Sequence, residues 1–144
     1  MGYYTPTEPI QIISAQDGAD ANQVLVDLAG VDEGDELLYI WIGLVRTAAA
    51  NWSIRLQLEN PTSPGNYLSL AAQNNFGQIL IQNSTTTPVT NWIVPGFENS
   101  TGHRMPFAHA LVVTPTMRML FDWGAGGGAS DDAQVWGIFS KRMG

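Results

Sequence analysis

The chain contains no cysteine, which excludes disulfide scaffolds, thiolate zinc sites and cysteine nucleophiles. Positive charge is nearly as scarce: one lysine, Lys141, and five scattered arginines stand among 144 residues. Binding to a nucleic-acid backbone depends on clustered Lys and Arg that displace counterions. No nucleic-acid partner and no anionic-membrane partner is therefore expected. Charged residues of both signs total only 13%, about half the usual share of a soluble domain. No apolar run approaches the roughly 18 residues a membrane span needs. No basic-then-apolar leader opens the chain, so synthesis in a cytoplasm without a signal peptide is the expectation. The start MGYYTP misses a myristoylation signal because Pro6 stands where Ser or Thr is required.

What the chain does have is acid at one end and apolar residues throughout. The first 45 residues hold eight acids (Glu8, Asp17, Asp20, Asp27, Asp32, Glu33, Asp35, Glu36) and no base, within a net charge of −7. Hydrophobic residues make up 44% and aromatics 10%, enough to form a packed core rather than a disordered chain. Asn, Gln, Ser, Thr and Gly fill the remaining surface, which suits a chain that packs against others.

Apolar residues recur with period two, the mark of half-buried strands. In SIRLQLE, Ile54, Leu56 and Leu58 face one way with Trp52, and Ser53, Arg55, Gln57 and Glu59 the other. MRMLFDW sets Met117, Met119, Phe121 and Trp123 against Arg118 and Asp122, and FAHALVV groups Phe107, His109, Leu111 and Val113. QVLVDL is read as a strand with Val24, Val26 and Leu28 inward. Short strands are read around Leu68 and Leu70 and around Ile79 to Ile81, and AQVWGIFSK is read as the last. ELLYIWIGLVR, residues 36–46, is apolar on both faces, as in a strand central to its sheet or covered by a partner. Turn signals separate these runs, and no convincing helix is found. The expectation is an all-β fold: an antiparallel β-sandwich, jelly-roll-like, of about eight or nine strands. Residues 1–9 are read as an extended N-terminal arm and 10–144 as a single sandwich domain.

The stretch most like machinery is DWGAGGGASDDAQVW, with Gly124, Gly126, Gly127 and Gly128 between two tryptophans. A phosphate loop needs Lys and Ser/Thr directly after its last glycine and then a helix. Here Gly128 is followed by Ala, Ser and two aspartates and then a strand, so the stretch is read as a flexible hairpin connection. DEGDE and QDGAD lack the ligand order of a calcium loop and are read as solvated acidic turns. His109 falls on an apolar strand face and His103 in a loop, and no nucleophile–base motif accompanies them. No enzyme, metal or cofactor is expected. The sequons at Asn51, Asn83 and Asn99 are read as chance. Of five tryptophans, parity puts Trp52 and Trp123 in the core and Trp41 in the doubly apolar strand. Trp92 and Trp136 remain as surface aromatics. Tyr3, Tyr4 and Pro6 make the arm stiff and aromatic, suited to lying on a surface of its own domain or of a neighbour.

The length, the Tyr/Pro arm, the cysteine-free run of short strands and the Asn/Thr/Gly-rich turns together resemble the small capsid decoration (cement) proteins of tailed bacteriophages. The resemblance is one of overall character across the whole chain and carries no diagnostic motif. It implies a structural virion protein, a homo-oligomer and typically a trimer, bound to major capsid protein on the outer capsid surface. Tyr39 and Trp41 on the apolar strand and Tyr3, Tyr4 and Pro6 on the arm would then be the partner contacts. The alternative is a carbohydrate- or receptor-binding module, a spike or fibre head or lectin-like domain, working through Trp92 and Trp136.

Overall fold

The computed structural model describes residues 3–16, 20–45, 51–70, 81–84, 89–98, 104–106, 111–123 and 131–143. Thirteen strands run through them: β1 Tyr3–Pro6, β2 Ile10–Gln16, β3 Ala21–Val24, β4 Glu36–Val45, β5 Asn51–Glu59, β6 Tyr67–Ser69, β7 Ile81–Ser84, β8 Val89–Ile93, β9 Gly96–Glu98, β10 Arg104–Pro106, β11 Leu111–Val112, β12 Arg118–Asp122 and β13 Asp132–Met143. The count exceeds the expected eight or nine because seven of the strands are only two to four residues long. Among the described residues the helical content is a single 3-10 turn, Leu25–Asp27, and no helix is long and apolar enough to cross a membrane.

Every pairing is antiparallel. One sheet runs β1–β13–β4–β11, with β2 also on β13 and β8 also on β4; the other runs β3–β12–β5–β6, with β7 also on β5. β9 and β10 form a separate two-stranded ribbon. The fold is an antiparallel all-β sandwich. From β2 to β5, and again from β11 to β13, consecutive strands alternate between sheets: β2, β4, β11 and β13 lie in the six-stranded sheet, and β3, β5 and β12 in the five-stranded one.

That alternation corrects the reading of the glycine-rich stretch. β12 pairs with β3 and β5 whereas β13 pairs with β1, β2 and β4, so the chain between them crosses from one sheet to the other and is no hairpin. Gly124, Gly126, Gly127 and Gly128 themselves lie outside the described residues, as do His103, Phe107 and His109.

The core lies between the sheets. The inner face of the five-stranded sheet supplies Trp52, Ile54, Leu56, Met119, Phe121 and Trp123, all buried. Phe121 stacks on Trp52 at 6.0 Å and meets Trp123 edge-on at 4.9 Å, the two arrangements a ring quadrupole favours. The alternation read for β12 holds: Met117, Met119, Phe121 and Trp123 are buried while Arg118 and Asp122 are half-buried. From the six-stranded sheet come Ile12, Ile13, Leu37, Ile40, Ile42, Leu44, Ala133, Val135 and Phe139. Each fully buried aliphatic or aromatic side chain stabilises the fold by about 1.5–3 kcal/mol.

Two bulges reset the alternation. Ile138 pairs with Tyr39 but Phe139 with Leu37, leaving Leu38 over. Val135 pairs with Ile13 but Trp136 with Gln11, leaving Ile12 over, which lets both Ile12 and Ile13 be buried. The segment read as a strand with Val24, Val26 and Leu28 inward behaves otherwise. β3 ends at Val24, and the chain tightens so that the Leu28 N–H donates to the Leu25 carbonyl at 3.1 Å. Leu25 is fully buried instead, and Val24, Val26 and Leu28 are half-buried.

The N-terminal arm lies on its own domain. Tyr3, Tyr4, Thr5 and Pro6 pair with Met143, Arg142, Lys141 and Ser140 of β13. Just beyond, the Thr7 N–H donates to the Phe139 carbonyl at 2.8 Å, and the Phe139 N–H donates to Thr7 Oγ1 at 3.1 Å. The arm is thus an edge strand of the six-stranded sheet.

One acidic turn is also not the solvated loop read from sequence. Asp35 is 5% exposed, and its Oδ2 accepts from the Asp32 N–H at 2.8 Å and from Lys141 Nζ at 2.7 Å. Lys141 also donates to Asp32 Oδ2 at 2.8 Å and to the Gly30 carbonyl at 3.1 Å. All three ammonium protons are used, and the last strand is tied to the turn before β4. The Asp32 side chain is well exposed, so its half of the cluster contributes little; the buried Asp35 is the stronger anchor. The hydrogen bonds to Asp32 and Asp35 hold the Lys141 pKa above its ordinary 10.5.

Two expectations follow from these contacts. A pKa raised by folding means stabilisation that is complete below 10.5 and fades as pH climbs through the raised value. The urea midpoint of the native protein should therefore exceed that of Lys141→Met up to about pH 10 and converge on it at higher pH. Gly137 faces the core, where an added Cβ would lie 2.9 Å from Ile12 Cδ1 and 3.0 Å from the Phe139 ring. Gly137→Ala should cost about 1–3 kcal/mol in urea unfolding.

Candidate functional site

The outer face of the six-stranded sheet is where the sequence candidates meet. Along β4, Leu37, Ile40, Ile42 and Leu44 point into the core, leaving Tyr39, Trp41, Gly43 and Val45 to point away. In an antiparallel sheet, residues directly opposite one another share a face. Trp41 is opposite Trp136 of β13 on one side and opposite Trp92 of β8 on the other. Three tryptophans therefore stand in one row across three adjacent strands. Trp92 is 50% exposed, and Trp41 and Trp136 are half-buried.

Local contacts set this row. The six-membered ring of Trp41 lies over Gly43, with ring carbons 2.5 and 2.8 Å from where a Cβ at Gly43 would sit. Only glycine leaves that space, so the indole folds back along its own strand. Trp136 Nε1 donates to Gln134 Oε1 at 3.3 Å, a bond between residues two apart on the same face of β13. Trp41, Trp92, Trp136, Gln134 and Pro9 line an open cleft of about 280 Å³. None of the five is charged.

Compared with known protein families and with curated proteins, the chain matches none.

The next row toward the opposite end of β4 is apolar as well. Ile138 stands opposite Tyr39, and Val94, following Ile93 opposite Ile40, comes beside Tyr39 on the far side. Tyr39 is 45% and Val94 61% exposed. Beyond them Val112, opposite Glu36, is also exposed. On the edge strand Tyr4 is exposed, and its backbone partner is Arg142. Pro6 is exposed, and the Tyr3 side chain lies outside what is described.

The other outer face is unlike this one. On the five-stranded sheet, Arg118 Nε donates to Gln57 Oε1 at 2.7 Å, and Gln57 Nε2 donates to Ser69 Oγ at 3.2 Å. The Arg118 guanidinium lies 3.9 Å over the Tyr67 ring, and Arg55 is 3.6 Å from Asp122. Gln57 and Ser53, which alternation puts on the solvent side, are buried. This face is laced together by its own polar side chains, whereas the centre of the first is a tryptophan row with Tyr39, Ile138 and Val94 beside it.

Sequence reasoning identified Tyr39, Trp41, Trp92 and Trp136 separately and did not assemble them. It also missed Gln134, Pro9, Gly43 and Val94. The one signal in the sequence for Gly43 was a glycine two residues after a tryptophan in an otherwise apolar strand, a position where a ring can cover bare backbone. Among the described residues no group of three or more His, Asp or Glu side chains is arranged to hold a metal.

If Gly43 seats the Trp41 indole, Gly43→Ala should lift that ring. The near-ultraviolet circular dichroism of the tryptophans should change while the far-ultraviolet β signal stays. An unchanged aromatic spectrum would count against this packing.

Proposed function

We propose that this protein is a structural virion protein that decorates the outer capsid, binding major capsid protein as a homo-oligomer. What supports the reading is the outer face of the six-stranded sheet, where Tyr39 and Val94 are exposed next to the tryptophan row and Val112 further along the same sheet. Contiguous exposed apolar area of this kind marks a surface that another protein covers. Interfaces are rich in aromatics and poor in charge at their centre, and Tyr39 stands in such surroundings. The absence of charge from the cleft lining and the self-covered opposite face give the molecule one adhesive side and one side suited to water.

The strand order supports the same reading at the level of architecture. With β1 and β2 taken as one edge, the sheets run β2–β13–β4–β8 and β3–β12–β5–β6. We read this interleaving as a jelly roll, two Greek keys wrapped together, an architecture shared by many viral shell proteins. An all-β fold is common to many functions, so the weight rests on the aromatic face.

A decoration protein of this type should give, by light scattering, a mass several times that of the monomer, three times for the trimer of the resembled family. It should co-sediment with its cognate empty capsids. Tyr39→Ala should weaken that binding by about 2 kcal/mol or more, roughly thirtyfold, as a truncated central aromatic does, with no change in the monomer's unfolding midpoint. A monomer that ignores capsids at all concentrations would overturn the proposal.

A further inference from the structure

We propose that the Trp136–Trp41–Trp92 cleft is a stacking site for a neutral saccharide, distinct from the protein contact around Tyr39. The inference goes beyond capsid decoration and rests on the tryptophan row, the shape of its cleft and the amide of Gln134.

The first is the shape of the aromatic surface. The three tryptophans occupy one cross-strand row, which spans two inter-strand spacings, about 9.5 Å. That is the length of a disaccharide. The Trp41 ring is folded down over Gly43, so the middle of the row is low and its flanks are Trp92 and Trp136. A pyranose ring carries C–H groups on its faces, and these are drawn to the electron-rich face of an indole. A quaternary ammonium would instead need rings around it on several sides, and three side chains from one sheet face do not provide that box.

Second, the cleft is of ligand size. Its volume of about 280 Å³ lies just under the range of roughly 300–1,000 Å³ for pockets that take drug-sized molecules. It suits one or two sugar units resting in an open trough rather than a ligand swallowed whole.

Third come the polar groups. A saccharide must also have its hydroxyls satisfied, and a site for one needs few but fixed hydrogen-bonding groups. Gln134 provides them: its Oε1 accepts from Trp136 Nε1, which orients the amide and leaves its NH₂ to donate. Pro9, Trp41, Trp92, Gln134 and Trp136 include no acid and no base. Nothing in the lining would pair with a uronate or sialate carboxylate, so the ligand class is neutral.

The test uses the whole chain and a panel of oligosaccharides: the hexaoses of cellulose, mannan, xylan, starch and chitin, with oligogalacturonate and oligosialic acid as anionic controls. Titration is followed by tryptophan fluorescence and calorimetry. At least one neutral member should bind and perturb tryptophan emission, with an affinity independent of salt. Trp92→Ala, at a half-exposed position, should weaken that binding at least tenfold without moving the unfolding midpoint. Gln134→Ala should weaken it too, and Gly43→Ala should do so by displacing Trp41. The proposal is overturned if no neutral member binds at about 10 mM, an affinity too weak to be specific, if only the anionic controls bind, or if Trp92→Ala binds as well as the native chain. Trp92→Ala that abolishes capsid binding while no saccharide binds would also overturn it, giving the row to the protein interface. Capsid co-sedimentation contains no sugar, so either proposal can fail without the other.

Discussion

The register between β13 and β4 is the constraint on which the rest depends. β13 is the longest strand, and it carries β1 and β2 along one side and β4 along the other. Side chains alternate across a sheet with a period of two, so a slip of one residue would exchange core and surface along the whole strand. In the observed register, Val135 and Ala133 sit opposite Ile42 and Leu44 on the inside, and Trp136 opposite Trp41 on the outside. A one-residue slip would bury Trp136 and Gln134 and expose Val135 and Phe139. Gly137 is part of the same constraint. It lies inside, where Ile12, Phe139 and Leu37 already fill the space, so the tightest point of the core fixes the position of the aromatic row on the other face.

The two outer faces divide the labour of the sandwich. On the five-stranded sheet the charged and amide groups find partners within the sheet, from Arg118 through Gln57 to Ser69 and from Arg55 to Asp122. On β4, at the centre of the six-stranded sheet, the outward positions from 39 to 45 are Tyr, Trp, Gly and Val, none of them charged. The apolar character of β4 on both sides is thus explained by its place: one side faces the core, and the other carries the middle of the tryptophan row.

How far the sequence could be read follows from what is local. Strands β5 and β12 were legible because their alternation is uninterrupted, and Trp52, Phe121 and Trp123 fall in the core as parity requires. The doubly apolar β4 was legible from the opposite sign, a run apolar on both faces and rich in β-branched and aromatic residues. The bulges at Leu38 and Ile12 were not, since an extra residue is visible only against the partner strand. The turn at Leu25 escaped because Leu-Val-Asp-Leu fits an alternating strand equally well until the Met117 carbonyl claims the Leu25 N–H. Trp41, Trp92 and Trp136 are far apart in the chain, and no local pattern says that β8 and β13 flank β4. The tryptophan row is a product of topology. The glycine-rich crossing was misread on the same account: adjacency in sequence suggested a hairpin where the strands belong to different sheets.

The clamp at Lys141 has a chemical consequence. It is the chain's one lysine, and its nitrogen is held protonated by two carboxylates and a carbonyl. A protonated amine has no lone pair with which to attack an electrophile. Acylating dyes, amine-coupled sensor chips and succinimidyl cross-linkers would therefore label this side chain more slowly than a free lysine. The aromatic sheet face, which carries no lysine, would pass through amine chemistry unmodified.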